Sequence, residues 1–313
     1  SLTSLSTADH SQLEEVLRRL ARRFEGAGVA ISVPSLRVDS FTLSLARLLG
    51  SGRRSGLTFA PEAGSQRLRD AINKNVTEAE LLGTVAAACS GGWRRLKLYF
   101  MLGLPTETDE DVTAIGALVT RVLATAREAT PPAERGSVRI AVSVSTFVPK
   151  AHTPFQWEGQ LSLDEVRRRQ GLLRSATPQR GVELSWHDAN TSFLEAVLAR
   201  GDRSVADAIE AAWRSGATFD AWSERFDLSR WLDAFTSVGI DPAARATEPF
   251  PETGPLPWSH IDSGLAPAFL AAERHRAYAA ETTEDCTFGD CTGCGVCPSL
   301  SVDVVLAGGE RRG

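Results

Sequence analysis

Apolar and polar positions along roughly the first 175 residues fall into two kinds of block: short β-prone runs, and longer runs with apolar residues three and four apart. Leu57-Thr58-Phe59-Ala60 is a short strand, and Pro61, which has no amide to donate, should end it. Arg67 to Ile72 and Glu78 to Ala88 have helical spacing; Asn73-Lys74-Asn75 breaks them apart, and Thr77-Glu78 is a helix-start signal. Gly91-Gly92 closes that helix, and Leu96 to Leu102, nearly continuously apolar apart from Lys97, reads as a strand buried on both faces. A polar tip follows at Gly103–Thr108, then a helix from about Asp109 to Arg127 and a strand from Val138 to Phe147. Upstream, Ser1 to Ser6 and Val29 to Val33 read as strands. Thr7-Ala8-Asp9 reads as a cap for a helix with Leu13, Val16, Leu17 and Leu20 as its stripe, and Phe41 to Leu49 as a short helix. Strand alternating with helix predicts an α/β fold with a parallel sheet, whose ligands gather at the carboxyl ends of the strands.

After the alternation ends the pattern changes. Gly181 to His187 is compatible with one more short strand. Ser192–Leu198, Val205–Trp213 and Phe219–Phe235 look helical, with Ile209 and Trp213, Trp222 and Phe226, and Trp231 and Phe235 each paired on one face. Packed helical core is the plain reading of these aromatics, and stacking platforms for RNA the alternative. Ala246 to Pro257, rich in Pro, Glu and Thr, reads as a linker.

Length adds a bound: 313 residues, 42% of them hydrophobic, suffice for a barrel-sized domain and a smaller appendage. No apolar run approaches the roughly 20 residues of a membrane span, and no signal peptide opens the chain, so the expectation is a cytoplasmic protein without a membrane partner. A net charge of -5 gives no general field for polyanions, and the arginine clusters (Arg18-Arg19, Arg22-Arg23, Arg94-Arg95, Arg167-Arg168-Arg169) read as solvated faces.

Four of the five cysteines stand together, Cys286, Cys291, Cys294 and Cys297, as C-x4-C-x2-C-x2-C followed by Pro298. Such tight spacing in a cytosolic chain favours one metal centre over disulfides. Zinc is one candidate; an iron-sulfur cluster is the other, since the run resembles ferredoxin-type loops. Cys89, beside Ala86, Ala87 and Ala88, reads as a small core residue.

A resemblance joins the separate stretches. Ala60-Pro61-Glu62-Ala63-Gly64-Ser65, Ile72-Asn73-Lys74, Met101-Leu102-Gly103-Leu104-Pro105-Thr106-Glu107-Thr108, and Phe147-Val148-Pro149-Lys150 with Thr153-Pro154-Phe155 resemble, in order and spacing, the radical S-adenosylmethionine (radical SAM) superfamily. The likeness is greatest to a subgroup with an N-terminal cobalamin-binding domain and a methylthiotransferase-like core. It implies a partial TIM-like (β/α) barrel over residues 1–178 supplying the second to sixth strands, a mostly helical region at 179–280, and the four-cysteine tail at 281–313. It also implies that Glu62 accepts from the ribose hydroxyls of S-adenosyl-L-methionine, that Lys74 pairs with the methionine carboxylate, that Met101 packs on adenine and that Gly103 allows close backbone approach. Taken alone, Glu62 reads as a helix cap and Lys74 as a surface cation. Phe147 to Lys150 and His152 would line the substrate side.

The superfamily holds a 4Fe-4S cluster on a C-x3-C-x2-C loop after its first strand, a spacing missing from this chain, which opens at Ser1. The expectation is therefore an N-terminally incomplete radical SAM enzyme, inactive in isolation, whose partners include the missing N-terminal segment and an electron donor such as a flavodoxin or ferredoxin. Cobalamin would come with the missing domain, for methyl or methylthio transfer to a substrate, RNA or protein being the classes considered. The alternatives are a zinc- or iron-sulfur-bearing RNA-binding, protein-binding or electron-transfer module on a non-catalytic barrel, and an ordinary barrel enzyme with Glu62 or Glu107 as base.

Overall fold

The computed structural model describes residues 10, 12–29, 31, 56–286 and 289–302. Four strands, β1 (Leu57–Glu62), β2 (Arg95–Leu102), β3 (Arg139–Thr146) and β4 (Val182–Trp186), form one parallel sheet in the order β1-β2-β3-β4. Helices connect them: α1 (Leu13–Arg23) lies upstream, α2 (Gln66–Ala71) and α3 (Glu78–Ser90) join β1 to β2, α4 (Asp109–Glu128) joins β2 to β3, and α5 (Leu163–Ala176) joins β3 to β4. The α/β expectation holds, with a parallel four-stranded sheet of the kind found in a partial TIM-like barrel. The strands expected at Ser1–Ser6 and across most of Val29–Val33, the cap at Thr7–Asp9 and the helix at Phe41–Leu49 lie outside the described residues.

Local chemistry starts the helices where the sequence suggests. Thr77 and Glu80 form a reciprocal capping box on α3, and Thr108 and Asp111 form another on α4. Both helices then lay apolar stripes on the sheet: Leu81, Val85 and Ala88 from α3, and Val112, Ile115, Val119 and Val122 from α4, pack against Leu96, Leu98, Phe100, Ile140, Val142 and Val144. At about 1.5–3 kcal/mol for each large side chain removed from water, this layer is the main stabilising term of the sheet.

Several readings are corrected. β2 is buried on its helix-covered face alone, because its pleat sends alternate side chains the other way: Tyr99 is 37% exposed, with Lys97 Nζ 4.5 Å from its ring centroid. Pro61 does not stop β1; the ladder skips across it, and Glu62 pairs with Phe100 beyond the irregularity. β4 pairs with β3, so the sheet continues past residue 178.

The C-terminal helices are α6 (Ala189–Ala199), α7 (Val205–Arg214), α8 (Leu228–Ser237), α9 (Pro242–Thr247), α10 (Pro267–Tyr278) and α11 (Val296–Leu300). Phe193, Val197, Ala208, Trp231 and Phe235 form a second core. Of the aromatic pairs, Trp231 and Phe235 pack at 6.1 Å, whereas Ile209, Trp213 and Trp222 are exposed. The expected helix over 219–235 is replaced by turns up to Asp227, which caps α8 by accepting from Ser229 N. The expected linker is docked instead: Ala246 is fully buried, Gln160 N donates to its carbonyl, and Phe250 N donates to Trp157 O.

Candidate functional site

The tips that follow β1 and β2 interlock before they form a site. Ser65 caps α2 by accepting from Leu68 N, and its hydroxyl donates to Asp111, which also pairs with Arg67. Arg67 reaches on to Thr106 O at 2.9 Å. Gly64 lies so close to α4 that a Cβ there would sit 2.2 Å from Ile115 N, so its smallness serves packing. Beneath this, Arg69 is 1% exposed and donates to the carbonyls of Ala63, Gly64 and Val76. Sequence reasoning passed over Arg69, since an arginine on a short helix gives no sign that it will satisfy carbonyls inside the fold.

These clamps frame a cavity of about 300 Å³ at the carboxyl end of the sheet. Glu62 (φ 66°), Lys74 and Met101 all line it, although they lie on β1, on the turn after α2 and on β2. Lys74 Nζ is 3.2 Å from Glu62 Oε1, and both side chains are part-exposed, at 30% and 23%. Asn73 and Asn75, both at positive φ, bend the turn that brings Lys74 round. Phe147 and Phe155, in edge-to-face contact at 5.9 Å, form an apolar wall. Glu273, Ala277 and Glu281, on and just after α10, complete the lining, which the sequence pattern did not foretell.

Two candidates stand apart from this wall. Gly103 (φ 86°) is not among the lining residues; Leu161 fills the space beside its Cα, and its amide donates to Glu107 Oε2 at 2.7 Å. Its freedom serves the tip's turn rather than approach by a ligand. His152 (φ 57°) is likewise absent from the lining and donates its own amide to Gln156 Oε1. Lys150, at the rim, pairs with Glu195.

Glu107 is a strongly perturbed acid near the site. Its side chain is 1% exposed, and burial raises it from the usual 4.5 to about 7, against the lowering effect of Gly103 N–H and of Arg169, 2.6 Å away. Its Oε1 has no hydrogen-bond partner among the described residues. Turned inward to the tip and to α5, it is a brace and does not reach the cavity as a base.

The four-cysteine tail lies beside the start of α10. Cys294 O accepts from Ala266 N at 2.9 Å, and Gly293 N donates to Cys291 Sγ at 3.4 Å. Gly293 and Gly295 both hold positive φ. Burial raises the Cys286 thiol, and Asp285 and the other three tail cysteines add to the rise. Among the described residues, no three His, Cys, Asp or Glu side chains are already gathered as a metal site. Cys89 is buried and faces the core.

The arginine clusters are mostly ion-paired: Arg18 and Arg19 with Glu15, Arg94 with Glu134, Arg168 with Asp109 and Glu165, and Arg169 with Glu107 and Glu165. Among the described residues no helix is long and apolar enough to cross a membrane.

Glu62, Lys74 and Met101 thus meet in the span from β1 to β2, and that span falls within a family match. Residues 1–119 match the Radical SAM superfamily. The matched segment contains β1, β2, their connecting helices and the start of α4. The chain is also similar to an uncharacterized protein of Methanocaldococcus jannaschii, 29% identical over 240 residues, which are 77% of this chain and 50% of that protein. The chain therefore spans about half the length of this relative.

Proposed function

We propose that the cavity beneath α10 binds S-adenosylmethionine and that the chain forms part of a radical SAM enzyme. One observation carries this: three side chains suited to the cofactor's different ends, far apart in sequence, line the same cavity within the matched fold. The donor set fits. Lys74 can leave Glu62 for a carboxylate, Glu62 can turn to a ribose diol, and Met101 with Phe147 offers an apolar slot for a base. Glu273 and Ala277 of α10 line one side of the cavity. In this superfamily the bound cofactor supplies radical chemistry.

The cysteines at 89, 286, 291, 294 and 297 contain no C-x3-C-x2-C spacing, so the residues present do not fit the superfamily's catalytic cluster, and reductive cleavage of the sulfonium lies outside what they provide. The finer assignment, methyl or methylthio transfer with cobalamin supplied by another domain and electrons by a flavodoxin or ferredoxin, is supported by the resemblance of the motifs.

The test is binding of S-adenosylhomocysteine to the full-length protein by calorimetry. Lys74→Ala should weaken it about tenfold, the effect of losing one charge-assisted hydrogen bond of roughly 1.5 kcal/mol in a half-open site. Equal affinity for the two proteins would remove the carboxylate assignment.

A second reading is favoured by the amide-to-sulfur bond at Gly293 and Cys291: a zinc- or iron-sulfur-bearing module for RNA binding, protein binding or electron transfer, with the barrel as scaffold. Metal analysis and an absorbance spectrum of protein prepared without oxygen separate zinc from iron and sulfide.

A further inference from the structure

The four cysteines and the cavity sit at opposite ends of one out-and-back stretch of chain. Ala266 begins the outward leg, which α10 continues; at Tyr278 the helix ends, Ala280 takes a positive φ of 54°, and the chain returns to Cys286. The tip of this hairpin is fastened to the cavity rim. Thr283 N donates to Asn73 Oδ1 at 2.9 Å, and Thr283 Oγ1 donates to Glu273 Oε1 at 2.8 Å. Ala280 packs on the small cluster of Ala63, Leu68, Ala71 and Leu104. Glu273 and Glu281 face the same cavity as Glu62 and Lys74.

The base of the hairpin is where the thiols are. Cys286 stands on the returning leg. Cys294 holds the outgoing leg through the bond from Ala266 N, and Gly295 lies against Gly264 and Ala266, with no room between for a larger residue to enter freely. The turn at Cys291-Thr292-Gly293 points an amide at the sulfur, Gly293 N lying 3.4 Å from Cys291 Sγ. Gly293 and Gly295, at positive φ, let the chain fold back twice within five residues.

We propose that Cys286, Cys291, Cys294 and Cys297 together bind one thiophilic metal centre, and that this centre staples the base of the α10 hairpin so that its tip is held over the cavity. The inference rests on the S-adenosylmethionine reading only for the identity of the cavity's ligand. Binding releases the thiol protons: four S–H bonds break, four metal–sulfur bonds form, and nothing is oxidised or reduced when the metal is Zn²⁺. Cys286 ends the returning leg and Cys294 is bonded to Ala266 at the start of the outgoing leg, so a centre shared by the two sulfurs ties the legs together at their base and favours the docked hairpin. Two strands of evidence thereby meet. Ligand groups on α10 become usable when the tail is loaded, and the tail acquires a role apart from electron transfer.

The experiment uses the full chain, stripped with chelator and then reloaded with Zn²⁺, or with ferric and ferrous iron and sulfide without oxygen. Hydrogen exchange is read over residues 66–77 and 270–285, and S-adenosylhomocysteine binding is measured on the same samples. One centre per chain should form with either zinc or iron and sulfide, and loading should slow exchange in both stretches by about tenfold while leaving the amides of α4 unchanged. Cys286→Ser should abolish the slowing; should that variant fail to fold, the stripped and reloaded wild-type protein still provides the comparison. A centre that forms without slowing exchange at the rim, or no centre with either metal, would overturn the proposal. If loading slows exchange but S-adenosylhomocysteine binds neither form, the staple stands and the reading of the cavity falls.

Discussion

Glu107 offers a sharp test, because two forces on it predict opposite pH dependence. Its side chain is 1% exposed and lies 2.6 Å from Arg169. If ion pairing dominated, the folded state would hold the carboxylate below its usual range, and stability would rise with pH through that range. The structure points the other way: burial outweighs the arginine and the Gly103 amide, raising the group from 4.5 to about 7. A carboxyl raised on folding binds more protons in the native than in the unfolded state between those values, so stability falls as pH rises from 4.5 to about 7. At about 1.4 kcal/mol for each tenfold change in proton affinity, the loss is about 3 kcal/mol. The comparison protein is Glu107→Gln, whose amide keeps an acceptor for Gly103 N–H and cannot ionise. Urea unfolding of both proteins at intervals from pH 4.5 to 8 gives the difference in stability, which should fall by about 3 kcal/mol to the disadvantage of the wild type and then level off. A difference that does not vary with pH, or one that favours the wild type as pH rises, would refute the dominance of burial.

Other outcomes follow from the packing. Gly116 stands where α4 crosses α5, and a Cβ there would lie 2.2 Å from Ala176 O; Gly116→Ala should destabilise by about 1–3 kcal/mol despite alanine's better helix propensity, as read by thermal unfolding. Arg200 is fully buried, donates to the carbonyls of Arg245 and Glu248, and lies 4.4 Å from the Phe250 ring centroid. Arg200→Met keeps the bulk but strands both carbonyls, and should cost about 2–4 kcal/mol in a denaturant titration, with α9 the first element to lose exchange protection.

How legible was this in the sequence? The alternation of strands and helices was, because Thr77 with Glu80 and Thr108 with Asp111 are local signals that need no tertiary context. Glu62, Lys74 and Met101 could be brought together only through the order of the motifs, and the structure does place all three at one cavity. Gly103 was misjudged because a glycine in a tip looks the same whether it admits a ligand or a neighbouring Leu161. The role of α10 had no signal at all: no spacing singles out Glu273 or Glu281, and only the tie from Thr283 to Asn73, 210 residues apart, brings this stretch to the rim. The run from Phe219 to Phe235 misled for a different reason. Its helical spacing is real over Trp231 and Phe235, but with Asp227 capping a helix that starts at Leu228, the residues before it are left in turns.

The interlocked tips also bear on how this architecture survives mutation. Gly64, Ser65, Arg67, Thr106 and Asp111 hold one another and are not among the residues that line the cavity. Part of the matched segment is therefore joinery. A descendant could lose every group that touches a substrate and still display those five letters, since discarding them would loosen the joint between two strands; conversely, the few positions free to vary without breaking that joint, Lys74 and Met101 among them, are where divergence of chemistry would first be written.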